Sequence, residues 1–222
     1  MKIVCSAFFV LLLCQLTWAS DQTYSVMSPD KRTEVKIAFG GKITWSLIYD
    51  GKVLISPSPV SLELYSGKVI GSNPKLLKQK TVTVNNQLKP LYGKNALIKE
   101  SYNELKLTFR DNYSVTFRTY NEGTAYRFTT SFKDSLTVKN EETTFAFAQN
   151  CMGYYRKGKK ENYIYEAVYE NSAISKIDSG RVAIVPLLVA ERKCIRASTA
   201  LRMLRGNSMA PVVRRCQLPF SR

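Results

Sequence analysis

The chain has 222 residues, 45% hydrophobic and 11% aromatic, enough apolar material for a packed domain and too much for a wholly disordered protein. It carries a formal net charge of +16 and contains no histidine, which excludes serine–histidine, cysteine–histidine and histidine–metal chemistry together. Any reaction would have to rest on carboxylates, Lys, Tyr or Cys.

The chain opens with MKIVCSAFFVLLLCQLTWAS, in which Lys2 precedes an apolar run from Ile3 to Leu13, and Thr17 and Ala19 offer small side chains before a cleavage point. This is the layout of a secretory signal peptide over residues 1–19, and the run is too short to span a membrane. The expected location is therefore the periplasm or the cell exterior. Cys5 and Cys14 fall in this leader, leaving Cys151, Cys194 and Cys216. An odd set without CxxC spacing supports neither a disulfide framework nor a zinc site.

After the leader, apolar residues alternate with polar ones at the period of a β-strand. Val35, Ile37 and Phe39 form the first run, and Gly40-Gly41 turns the chain. Ile43, Trp45, Leu47 and Tyr49 form the next, ending at Asp50-Gly51, a strong hairpin signal. Val53 and Ile55 follow, and Ser56–Pro59 is expected to break the strand, because proline cannot donate to a central ladder. Leu62 and Leu64 resume the alternation; residues 67–80 read as turn-like, Thr81–Val84 as a β segment, and Asn85–Pro90 as a break. Leu105, Leu107 and Phe109 come next, then a turn at Asp111-Asn112, then Val115 and Phe117. A turn at Asn121–Gly123 leads to Tyr126 and Phe128, and Phe145 and Phe147 mark a further strand. No stretch shows a sustained helical stripe. Many short strands joined by hairpin turns predict an all-β protein built as an antiparallel sandwich.

Charge is distributed unevenly. Residues 1–190 carry 25 basic and 16 acidic side chains, and residues 191–222 carry 8 basic and 1 acidic. Lysine dominates before Ala190 and arginine after it. The second stretch shows no consistent period, so residues 191–222 are expected to be an unrelated, disordered basic tail of the kind out-of-frame translation produces. Before it, Arg156–Lys160 is a dense basic cluster, read as a solvated turn around Gly158 or as a patch for anionic glycans or lipids.

Three stretches are more specific than composition: SPDKRTEVKIAFGGKITWSLIYDGKVLISPSPVSLEL (Ser28–Leu64), LYGKNALIKESYNELKLTF (Leu91–Phe109) and VTFRTYNEGTAYRF (Val115–Phe128). In this order and spacing they resemble the N-terminal domain of glycoside hydrolase family 97, the calcium-dependent α-glucosidases and α-galactosidases. The resemblance continues through YIYEAVYENSAISKI (Tyr163–Ile177) and GRVAIVPLLVA (Gly180–Ala190), which places the domain at residues 24–190. It implies a large β-sandwich similar to that of galactose mutarotases, incomplete at its C-terminal end, and truncated before the (β/α)8 barrel that holds the family's catalytic carboxylates. No catalytic residue is therefore assigned to this chain. The family's N-terminal domain contributes one glutamate to an active-site calcium; the matching stretch places it at Glu166, with Glu170 as the alternative. Calcium takes six to eight oxygens, so no firm binding by this fragment is expected.

The remaining candidates have two readings each. Tyr102, Asn103 and Glu104 could face a sugar, or form a buried tyrosine beside a turn-fixing asparagine. Arg118 and Arg127 could contact sugar, or pair across strands with Glu104 or Glu122. Trp45, Tyr154 and Tyr155 could stack on pyranose rings or pack in the core. Glu141 and Glu142, as strand neighbours, point to opposite faces and make a poor acid–base pair. The implied function is the substrate-pocket sandwich of a secreted α-glycosidase, with α-linked oligosaccharides as partners, no nucleic acid and no membrane span. A stand-alone carbohydrate-binding module is the alternative, and a basic nucleic-acid or membrane binder a second one.

Overall fold

A computed structural model of the protein describes residues 22–158, 168–177, 182–191, 194–202 and 210–216. In chain order its strands are β1 (Thr23–Met27), β2 (Thr33–Phe39), β3 (Ile43–Tyr49), β4 (Lys52–Leu64), β5 (Val69–Ile70), β6 (Leu76–Leu88), β7 (Ile98–Phe109) and β8 (Tyr113–Tyr120). They continue as β9 (Gly123–Thr130), β10 (Val138–Thr143), β11 (Ala146–Phe147), β12 (Met152–Gly158), β13 (Glu170–Ala173), β14 (Val182–Glu191), β15 (Cys194–Arg202) and β16 (Ala210–Cys216). A 3-10 turn, Ile174–Lys176, follows β13.

The strands form two sheets. The first runs β1-β2-β3-β4-β10, with β5 and β11 also paired to β4; the second runs β13-β12-β14-β15-β16-β9-β8-β7-β6. The pairings among the described residues are antiparallel, so the molecule is an all-β sandwich, as the alternating sequence predicts.

Period-two patterning explains why these residues form these sheets. In β2, Thr33, Val35, Ile37 and Phe39 are buried while Lys36 is exposed; in β3, Ile43, Trp45 and Leu47 are buried. Leu105, Leu107 and Phe109 of β7 and Tyr113, Val115 and Phe117 of β8 form the facing row. The two rows belong to one hydrophobic cluster. Rings join them across the gap: Phe39 meets Phe109 edge-on at 5.3 Å, and Trp45 lies 6.1 Å from Tyr126. Each large apolar side chain buried here contributes roughly 1.5–3 kcal/mol relative to exposure. Asp50 and Gly51 have φ of 46° and 76°, and Tyr49 pairs with Lys52, the two-residue hairpin that the Asp-Gly pair predicts.

Two expectations are corrected. Ser56–Pro59 does not end a strand, since β4 runs through it. The ladder itself is interrupted there. Pairing to β3 passes from Leu47↔Ile55 to Trp45↔Ser58, β11 covers Ile55 and Ser56, and β10 takes over at Val60. Pro57 therefore sits in a gap of all three registers, where no amide is required, and the Pro59 carbonyl accepts the Thr144 N–H. Nor does the chain break at Asn85, because β6 continues to Leu88 against β7.

Composition sets residues 191–222 apart as a disordered tail, and in the structure two strands lie within that stretch. β15 pairs with β14, β16 with β15, and β16 with β9. These strands join the β12–β14 part of the second sheet to its β6–β9 part. The leader at residues 1–19 and Glu166 lie outside the described residues.

Two substitutions test the packing. Phe117→Ala removes a ring that is 1% exposed and should lower the unfolding free energy by about 3–5 kcal/mol in urea titration. Gly71 has φ of 94°, a Cβ there would stand 3.0 Å from the Val60 carbonyl oxygen, and its own carbonyl accepts the Ile43 N–H. Gly71→Ala should cost about 1–3 kcal/mol. A variant as stable as the parent would show that this turn relaxes without loss.

Candidate functional site

The face of β7 and β8 turned away from the core carries the best-built polar cluster. Tyr102 stands opposite Tyr120 and Glu104 opposite Arg118, which puts all four side chains on one face. The Tyr102 and Tyr120 rings are 4.9 Å apart, and the Arg118 guanidinium carbon lies 4.5 Å over the Tyr102 ring. Arg118 Nε donates to Glu104 Oε2 at 2.6 Å, a pair only 23% and 20% exposed. Burial is the largest single influence on Arg118 and opposes its charge, but the hydrogen bonds to Glu104 and Tyr120 and the charges of Tyr102 and Glu104 together outweigh it, holding the guanidinium above its ordinary pKa. Burial likewise raises the Tyr102 phenol, with Arg118 pulling it partly back.

This arrangement engages the groups it contains. Tyr102 is 5% exposed, so its ring offers no platform to a sugar. Asn103 Nδ2 donates to the Met27 carbonyl at 2.7 Å and its Oδ1 accepts from Thr83 at 2.8 Å, tying β7 to β1 and β6. The structural readings of Tyr102, Glu104 and Arg118 are the ones realised, whereas Asn103 fixes no turn, because it lies mid-strand in β7, paired with Thr83 and Thr119. Arg127 differs: it pairs in register with Thr116, its Nε is buried, and no hydrogen-bonding partner among the described residues meets that atom.

A second cluster lies at the β12–β13 edge. Tyr155 pairs in register with Glu170, is 4% exposed, and places its hydroxyl 3.3 Å from Ser172 Oγ. Tyr154 and Tyr169 are 37% and 53% exposed, and the Arg156 guanidinium carbon lies 5.4 Å over the Tyr169 ring. Trp45 is not available to a ligand; it is 2% exposed and packs edge-on against Phe145 at 5.7 Å. Glu170 is half-buried at the start of the edge strand. Among the described residues no three His, Cys, Asp or Glu side chains converge, so these residues alone do not fit a calcium ion, which takes six to eight oxygens.

Two further carboxylates lie on β10. Glu142 pairs with Ser61 and Glu141 with Leu62, so the two point to opposite faces of β10. Lys42 Nζ donates to both Glu142 oxygens at 2.9 and 3.0 Å, and Ser61 donates at 2.7 Å. Lys42, then Ser61, hold the Glu142 carboxyl below the usual range. No sequence signal announces this triad, because Lys42 lies 100 residues from Glu142. Among the described residues no helix is long and apolar enough to cross a membrane.

Residues 26–200 match the family described as Glycosyl-hydrolase 97 N-terminal, running past the compositional boundary at Ala190. A retaining alpha-galactosidase of Bacteroides thetaiotaomicron is 29% identical over 192 residues, which is 82% of this chain and 29% of that protein. A Glycoside Hydrolase Family 97 enzyme from Pseudoalteromonas sp., solved in complex with panose, superposes with a TM-score of 0.66 at 17% identity, covering 88% of this chain and 32% of that one. A beta-arabinopyranosidase superposes with a TM-score of 0.70 at 21% identity, covering 82% and 31%. At these identities the structural likeness speaks for the fold alone. The chain spans less than a third of the length of these relatives.

Two measurements test the polar clusters. A double-mutant cycle of Arg118→Met and Glu104→Gln should return a coupling of about 1–2 kcal/mol that persists in salt, because the pair is mostly buried. The Arg32–Asp50 pair, 48% and 47% exposed, should couple less and fade with salt. Because the folded pKa of Glu142 is depressed, its contribution is complete above the ordinary carboxylate range and is lost as pH falls through it. In Glu142→Gln the fall in melting temperature below about pH 4 should be shallower than in the parent. Parallel curves would remove the pair from the acid limb.

Proposed function

The chain belongs to the Glycosyl-hydrolase 97 N-terminal family over residues 26–200, and from that premise we propose that it is the substrate-pocket sandwich of a secreted α-glycosidase acting on α-glucosides or α-galactosides. The observation that carries this reading is the family match itself. Glycoside hydrolysis needs two carboxylates set across the scissile bond, one to protonate the leaving oxygen and one to act as base or nucleophile. Glu104 and Glu142 are each held in an ion pair, and Glu141 leaves the opposite face from Glu142. The chemistry is accordingly assigned to polypeptide outside this domain, and the chain alone is inactive. One calcium ligand is assigned to Glu166, or to Glu170, with the remaining oxygens from outside the described residues. The leader at residues 1–19 would direct the protein out of the cytoplasm.

A second reading, a carbohydrate-binding module acting by itself, draws on the exposed Tyr154 and Tyr169 with Arg156 beside them. An exposed aromatic face suits the apolar C–H face of a pyranose ring, and a neighbouring guanidinium can donate to the ring's hydroxyls.

Two assays separate the readings. With nitrophenyl α-glucoside or α-galactoside and added calcium, the isolated chain should release no nitrophenol above the protein-free rate; turnover would sink the assignment of chemistry elsewhere. Calorimetric titration with maltooligosaccharides or α-galactosyl oligosaccharides should give no saturable heat. Saturable heat that disappears in Tyr154→Ala and Tyr169→Ala would select the binding module.

A further inference from the structure

The β6–β7 hairpin reaches beyond the sandwich. β8 ends at Tyr120 opposite Tyr102, whereas β6 and β7 stay paired as far as Leu88↔Ile98. The four pairs from Asn85↔Ser101 to Leu88↔Ile98 form a two-stranded ribbon about 13 Å long. At its tip Leu91 and Tyr92 are 101% and 90% exposed, and Leu97 and Ile98 are 58% and 44% exposed. A two-stranded ribbon is marginal by itself, and an apolar tip in water adds to the cost.

The charge around this tip is of one sign. Between Glu63 and Glu100 the chain has seven lysines, no arginine and no carboxylate. Lys89, Lys94 and Lys99 flank the apolar tip and are exposed. We infer that the hairpin tip docks on an anionic lipid surface, with Leu91 and Tyr92 entering the headgroup layer and Lys89, Lys94 and Lys99 meeting lipid phosphates. Three features favour lipid over protein. Protein interfaces are depleted in lysine and enriched in arginine, the reverse of this hairpin. A projecting tip suits insertion into a fluid layer, and tyrosine settles at the water–lipid boundary. A second copy of the chain would present the same lysines and be repelled.

Sedimentation of the chain with vesicles tests this, because every comparison is between variants that share the same leader and C-terminal residues. Phosphatidylglycerol-containing vesicles should bind the parent more tightly than pure phosphatidylcholine, with binding weakened by salt. Lys89→Glu with Lys94→Glu should lower partitioning at least about tenfold. Leu91→Asp with Tyr92→Ser should lower it severalfold with an unchanged thermal melt, since both side chains are exposed. Lys133→Glu with Lys176→Glu makes the same charge change elsewhere and should leave partitioning within about twofold. Tyr92→Trp should show a blue-shifted emission on anionic vesicles. Equal losses in both lysine pairs would mean unspecific attraction and overturn the proposal. So would tip variants that bind like the parent, an outcome that would return the hairpin to a protein partner.

Discussion

The structure depends on one contact: the inner row of β2 and β3, led by Ile37, Ile43 and Trp45, laid against the row of Leu107, Val115 and Phe117 on β7 and β8. Among the described residues most of the buried apolar side chains of both sheets gather in this one cluster, so removing the contact would take away the main driving force for their association. Because side chains alternate, burying Leu105, Leu107 and Phe109 commits Tyr102, Glu104 and Lys106 to the other side of β7. A shift of one residue would bury Glu104 and Lys106 in the core and expose three apolar side chains. Register and hydrophobic burial are in this sense the same constraint.

That commitment shapes what the outer faces can do. The Arg118–Glu104–Tyr102–Tyr120 group is tightly self-engaged, and a guanidinium held by a carboxylate over a ring has little freedom to serve a reaction. The Lys42–Glu142–Ser61 group joins β10 to the β3–β4 side of the first sheet in the same manner. Among the described residues, the exposed groups include tyrosines beside Arg156 at one sheet edge and a lysine-flanked apolar tip at the end of a ribbon.

Several features were legible before any coordinates. Ile43–Tyr49 and the Asp50-Gly51 turn appear as read, since period-two alternation and a pair of positive-φ residues are local signals. The Arg118–Glu104 pair is one of the cross-strand pairings, with Glu104 or Glu122, that alternation on adjacent strands offered. Other features were not legible. Ser56–Pro59 reads as a breaker because proline lacks an amide, yet Pro57 falls where three neighbouring registers leave a gap and the strand continues on either side of it. Trp45 reads as a core ring or a sugar platform, and the opposing sheet, with Tyr126 at 6.1 Å, shows the core ring.

By itself the sequence determined the all-β class, the strand faces and the short hairpins, because each follows from residues within a few positions of one another. It also determined the family, through motifs whose order survives at low identity. Tertiary structure alone decided which apolar rows meet, that Lys42 finds Glu142, and that strands beyond Ala190 connect the two parts of the second sheet. It also decided that the β6–β7 ribbon outruns its neighbours. These depend on pairing between distant segments, where the winning partner is chosen by the free energy of the whole packed arrangement and by no local signal.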